Sequence, residues 1–453
     1  MSPYVLAFVV GLLALGPVII CLRRPLDITL PLYAALIPYG PLIALTHVTK
    51  GNNASMWTRF GTLSSIVGVL LVIGLLLSLI AGRKVSVPLS PTIPLWLLML
   101  GVAGATTLWS LDPVHSANGF LSLGSLLLVY LLISLSPIDR RIFTRTENGL
   151  LIGGVTVTCY GLVQLFLLGG FPNDAVSKAA GLGGRFGNDM LGPNNEAIAL
   201  LLPLFIAVFR SLTRPEARTR AMYSGMAALM LMGVVMTGSR GGILAAVVGA
   251  LMMAVTSPQG RARLLTYTAA AIAFGAIAFF LHPFGLAERA VTTSSSSGRT
   301  DIWRVGAAAC PKYCPLGAGW ESFPLVYAET QPTVPDAAVL VGKGGSYQPH
   351  NVILLVAIEL GLPGLILLFA VLGVTFVEAF RLPRWLRGPP LAALSGTYFS
   401  AMFLSNLEFK FFWMALIMVA MARSLSIVED PTGVDGTSRQ RELLLPAGSA
   451  ART

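Results

Sequence analysis

Apolar runs recur along nearly the whole chain, each close to the roughly 20 residues a helix needs to cross hydrocarbon, with brief polar connections between them. Thirteen runs are predicted to be membrane helices: Pro3–Cys21, Ile28–His47, Thr62–Ile80, Pro94–Trp109, Gly119–Leu135, Leu150–Leu168, Pro193–Phe209, Met222–Met236, Ile243–Val255, Leu264–Leu281, His350–Phe380, Pro390–Leu404 and Phe409–Met421. The pattern predicts an all-α fold, a polytopic transmembrane bundle of about 12–13 helices, broken by one long polar excursion at 282–349 that holds short helices. This divides the chain into helices 1–10 (residues 1–281), a substrate loop (282–349), helices 11–13 (350–425) and a tail (426–453). The tail mixes charges with Pro, Gly, Ser and Thr without an apolar period and reads as flexible.

Composition agrees. Of the 453 residues 55% are hydrophobic and only 11% charged, with a mean hydropathy of +0.76, where a soluble domain carries about a quarter of its residues as charges. Soluble cores stop growing at roughly 250–300 residues, so a soluble fold of this length has nowhere to hide so much apolar surface. The first run has neither a basic leader nor a small-residue cleavage site, and is read as a retained helix.

Lys and Arg in short connections stay on the cytoplasmic side, and here they concentrate in the odd-numbered connections: Arg23 and Arg24, Arg83 and Lys84, Arg140, Arg141 and Arg145, Arg210 to Arg220, Arg261 and Arg263, and Arg381 to Arg387. The amino terminus is therefore expected outside a bacterial cytoplasmic membrane and the tail inside. The net charge of +11 raises nucleic acid as a partner, but the charges are dispersed among membrane connections without interleaved aromatics, so no nucleic-acid binding is expected.

Three expected external segments carry chemistry. Thr237-Gly238-Ser239-Arg240-Gly241-Gly242 places a guanidinium at a helix mouth, flanked by glycines that let a ligand approach and by amides at the next helix start, a combination suited to phosphate. The alternative is an arginine reaching to lipid headgroups. Ser294–Ser297 followed by Gly298-Arg299-Thr300-Asp301 reads as a capped helix start with Arg299 beside it, able to grip a diphosphate, or alternatively to pair with Asp301. Gln348-Pro349-His350-Asn351 lies where the long loop re-enters the membrane. The imidazole of His350 suits general-base work or hydroxyl positioning near neutral pH. His47, His115 and His282 lie at other helix ends, where packing explains them.

In this order and topology the stretches Arg185-Phe186-Gly187-Asn188 through Pro193-Asn194-Asn195-Glu196, Ser239-Arg240-Gly241-Gly242, Gly298-Arg299 with Ile302-Trp303, Pro315-Leu316-Gly317-Ala318-Gly319-Trp320, and His350-Asn351 with Glu359-Leu360-Gly361 resemble the O-antigen ligase and O-antigen polymerase family. The resemblance covers roughly Gly181–Phe380. It implies an inverting, metal-independent glycosyltransferase in a GT-C-like membrane scaffold that needs no cofactor and moves a glycan from a polyprenyl (undecaprenyl) diphosphate carrier to a glycan, lipid or protein acceptor during cell-surface polysaccharide synthesis. Arg240 and Arg299 would then bind the diphosphate and His350 would act on the acceptor hydroxyl. Arg185, Asn195 and Asn351 are further candidates for substrate contact. The scattered Asp301, Glu321, Glu329 and Asp336 form no acidic metal cluster, which agrees with arginine stabilisation of the leaving group.

Other readings carry less. Gly181-Leu182-Gly183-Gly184-Arg185-Phe186-Gly187 has the outline of a dinucleotide fingerprint, but Phe186 stands at its last glycine and no strand precedes it. Cys310 and Cys314 are close enough in sequence for an external disulfide. A transporter or flippase for lipid-linked glycans, the competing class, is expected to show inverted repeats with paired broken helices. A single break is visible, at Gly361-Leu362-Pro363-Gly364.

Overall fold

The structure, a computed structural model, describes residues 15–39, 62–82, 88–167, 186–187, 192–256, 261–266, 268–269, 299–335, 337 and 348–429. Among them every element is helical. In chain order these are a π-helical turn Pro25–Thr29 running into α1 (Leu30–Leu36), α2 (Leu63–Ile80), α3 (Thr92–Thr106), α4 (Pro113–Ser134), α5 (Arg140–Leu167), α6 (Pro193–Ala199), α7 (Leu201–Thr213), α8 (Ala217–Met236), α9 (Arg240–Thr256), α10 (Arg299–Tyr313), α11 (Phe323–Thr330), α12 (Val352–Glu359), α13 (Gly361–Arg381), α14 (Arg384–Ala401) and α15 (Lys410–Glu429). Eight of the described segments are long and apolar enough to cross a membrane, and Pro25–Leu36 and Arg240–Thr256 are shorter apolar helices. The expected runs Pro3–Cys21 and Leu264–Leu281 lie largely outside the described residues, as do much of 282–349 and the tail from 430.

The bundle is layered by burial. The segment Pro193–Thr213 and α15 are buried on most sides, whereas α2, α3, α8 and α13 leave most of their surface outward, with Val69, Leu98, Met222 and Ile366 exposed. A helix surrounded by hydrocarbon loses nothing by exposing leucine, so these helices are apolar all round. Small residues set the close approaches: a Cβ on Gly149 or Gly153 would stand 2.2 Å from the carbonyl oxygens of Pro31 and Ala35, so α1 rests directly on the α5 backbone. At the end opposite the arginine-rich connections, α10, α11 and α12 share a second core of Ile302, Val305, Phe323, Val326, Leu355 and Ile358.

Two expected spans are interrupted, both at proline. Pro203 has no N–H for the Ala199 carbonyl, and the helix breaks at Leu200 between α6 and α7. The run His350–Phe380, expected to be one span, is two helices, α12 in the external layer and α13 in the bundle. Pro363 cannot donate to the Glu359 carbonyl, and that oxygen accepts from Gly319 N at 3.0 Å instead; Leu362 N donates to the Cys314 carbonyl at 2.7 Å, and Ala318 N takes the freed Ile358 carbonyl at 2.8 Å. The Pro315–Trp320 and Glu359–Gly361 motifs are thus interlocked, each supplying the backbone partners that the other has lost. Gly317 (φ 86°) and Gly361 (φ 70°) make the close fit, since a Cβ on Gly317 would stand 2.4 Å from the Glu359 oxygen.

Candidate functional site

The external layer is tied down around one buried carboxylate. Glu359, 2% exposed, accepts from the backbone N–H of Glu321 at 2.9 Å and of Phe323 at 3.0 Å. Glu321 is held at φ 61° and meets His115 Nε2 at 3.0 Å, which docks the layer on the start of α4. Trp109 Nε1 donates to the Gly317 carbonyl and Ser116 Oγ to that of Trp320. Burial raises the Glu359 carboxyl well above its usual range. Cys310 and Cys314 form a disulfide at the end of α10.

On this platform the candidate residues converge. At the α8–α9 junction Gly238 takes φ 59°, the Ser239 hydroxyl caps α9 by accepting from Gly242 N at 3.1 Å, and Arg240 begins α9 exposed. Arg299 opens α10, half-buried; burial and then the Arg240 charge lower its pKa. Asp301 lies 3.8 Å from Arg304, not against Arg299. Among the described residues neither Arg240 nor Arg299 has a hydrogen bond or ion pair, so two guanidiniums within electrostatic reach share no carboxylate there.

His350 stands at the mouth of α12, half-buried, with φ 48°. Left-handed backbone at a non-glycine residue is strained and clusters at functional sites. Trp303 Nε1 donates to the Pro349 carbonyl at 2.8 Å, binding the helix that carries Arg299 to the residue before His350. Burial, and then the charge of Arg299, push the imidazole pKa down to about 4, so it is neutral at physiological pH. Asn351 caps α12, its side chain accepting from Leu354 N at 3.0 Å.

A small cavity beside these groups is lined by Asn194, Ser239, Gly241, Arg299, Ser400, Phe403 and Leu404. Asn194 stands in its wall, with Asn195 half-buried beside it in the first turn of α6 and Glu196 fully buried one residue on. Arg185 lies outside the described residues, although its neighbour Phe186 is packed beneath the site, with its N–H on the Met236 carbonyl at 3.0 Å. Ser400, Phe403 and Leu404 had no signal in the sequence, because they end an ordinary apolar run. Among the described residues no three His, Cys, Asp or Glu side chains are placed to share a metal ion.

Residues 225–369 match the family model described as O-antigen ligase (Wzy_C). This segment is similar to the O-antigen ligase family. It contains Arg240, Arg299, His350, Asn351 and both interlocked motifs, whereas Asn194, Asn195 and the α14–α15 turn lie outside it. No curated protein matches the chain. The helices around this segment are long and apolar enough for a multi-pass membrane protein.

Proposed function

We propose that the chain is an inverting glycosyltransferase that moves a glycan from a polyprenyl diphosphate carrier to an acceptor hydroxyl on the extracytoplasmic face of a bacterial cytoplasmic membrane. The observation that carries this reading is the pair Arg240 and Arg299, whose charges interact without a carboxylate partner among the described residues, with His350 inside the field of Arg299. A bound anion relieves the repulsion between the two guanidiniums, and a diphosphate supplies two adjacent charges.

In the reaction the acceptor oxygen attacks the anomeric carbon from the side opposite the diphosphate. The bond from that carbon to the phosphate oxygen breaks, its electron pair leaving with the polyprenyl diphosphate, while the hydroxyl proton passes to the neutral imidazole of His350. Arg240 and Arg299 take up the charge that grows on the leaving group, the role a divalent cation plays in other transferases, so no added metal is needed.

The test is incubation of the purified protein with a polyprenyl-diphosphate glycan and candidate acceptors in EDTA. Release of the free carrier diphosphate with a matching mass gain on one acceptor is the expected result, and that acceptor distinguishes ligase from polymerase. Movement of the intact donor across vesicles without bond cleavage would overturn the reading in favour of a flippase.

A further inference from the structure

The cavity wall mixes two kinds of group. Arg299 supplies a charge, while Asn194, Ser400 and Phe403 line the same cavity without one. An amide, a hydroxyl and a half-buried aromatic ring are the chemistry that holds a neutral polyol: the ring covers the C–H face of a pyranose and the polar groups meet its hydroxyls.

The turn between α14 and α15 is built to present these groups. Phe403 N donates to the Ser400 carbonyl at 2.9 Å, Phe409 N to that of Asn406 at 3.1 Å, and Trp413 Nε1 to that of Leu407 at 2.7 Å. The Phe403 ring leans on Phe399 at 5.5 Å between centroids. Ser400 donates its proton inward to the Thr397 carbonyl at 2.7 Å and accepts from Asn406 Nδ2 at 3.0 Å, which leaves one acceptor lone pair for a ligand. Asn406 is fully buried, and its Oδ1, like Ser405 Oγ, has no partner among the described residues. Unsatisfied buried acceptors are rare in folded proteins, and these two lie within six residues of Ser400 in the turn that lines the cavity.

We infer that this turn, outside the matched O-antigen ligase segment, is the subsite for the first sugar of the donor, the ring bonded to the diphosphate. Arg299 bounds the same small cavity, so a sugar attached to a diphosphate held there meets Phe403 and Ser400 next. The inference rests on the proposed transferase reading.

The test uses full-length protein and compares Phe403→Ala, Phe403→Leu, Ser400→Ala and Arg299→Ala for transfer against donor concentration and for inhibition by free polyprenyl diphosphate, which lacks the sugar. Loss of ring contact or of one hydrogen bond is expected to raise the donor KM on the order of five- to ten-fold in the Phe403 and Ser400 variants, with unchanged inhibition by the free carrier. Unfolding midpoints screen for misfolded variants, and Phe403→Leu keeps most of the apolar bulk if Phe403→Ala does not fold. An unchanged donor KM, or an equal loss of inhibition by the free carrier, overturns the sugar subsite while leaving the transferase reading intact. Full product yield from Arg299→Ala overturns the transferase reading itself.

Discussion

Arg240 and Arg299 face each other's charge without a counter-ion among the described residues, so much of their electrostatic energy is available to a bound anion. Removing one such donor is expected to lower kcat by about 10²–10³-fold. Arg299→Lys is expected to recover only a part, because a point charge does not reproduce the planar fork; release of polyprenyl diphosphate measures both. His350 titrates under the same field. With its pKa held at about 4 by burial and by Arg299, the free protein keeps its base until the pH falls through that value, so the acid limb of kcat/KM belongs near 4 rather than at the ordinary 6.5. A bound diphosphate offsets the Arg299 charge and draws the pKa upward, so the acid limb of kcat is expected at higher pH than that of kcat/KM. The stability linkage has the matching sign: the folded pKa lies below the unfolded one, so the unfolded chain takes up the proton first. His350 then costs stability as pH falls from about 6.5 to about 4, and His350→Gln is expected to flatten that part of a melting-temperature profile. These residue types and their order were legible in the sequence. The Ser400–Asn406 contribution was not, because serine and phenylalanine at the end of an apolar run carry no spacing that separates lining from packing.

At the level of elements, function depends on how α12 is aimed. The break at Gly361-Leu362-Pro363-Gly364 is readable from composition, yet only folding supplies the Cys314–Gly319 strip that satisfies the freed backbone groups. Gly317→Ala would drive a Cβ against the Glu359 oxygen from a left-handed backbone. It is expected to unlock the external layer and abolish transfer while the membrane helices stay folded, seen as faster amide exchange confined to α10–α12. Glu359→Gln leaves one of two buried N–H groups without its acceptor and is expected to cost about 1–3 kcal/mol. At the other end of the bundle Arg210 joins α7 to α5 through Glu147 at 2.7 Å and Asn148 at 2.6 Å. Arg210→Ala strands a buried carboxylate and is expected to cost roughly 3–5 kcal/mol, read from the melting temperature in detergent, without altering the donor KM.

On the scale of the whole molecule, the external helices and the connections carrying Arg140, Arg214 and Arg384 occupy opposite ends of the bundle. The positive-inside rule turns that geometry into an orientation. In a Cys159→Ser background, Thr300→Cys is expected to react with a membrane-impermeant maleimide in intact spheroplasts and Arg218→Cys only after permeabilisation. Labelling of both from one side would undo the topology and the extracytoplasmic placement of the chemistry.

The all-helical class and the membrane as solvent followed from the sequence alone, because hydropathy and charge act locally and each run reports its own solvent. Tertiary structure alone decided that the Cys314–Gly319 strip locks the break between α12 and α13, that Glu359 clamps the Glu321 turn, and that Arg299 shares a cavity wall with Phe403, some hundred positions along the chain. Those outcomes depend on which backbone groups meet when helices pack, and helices that are apolar on every side leave their packing partners unwritten in their own pattern.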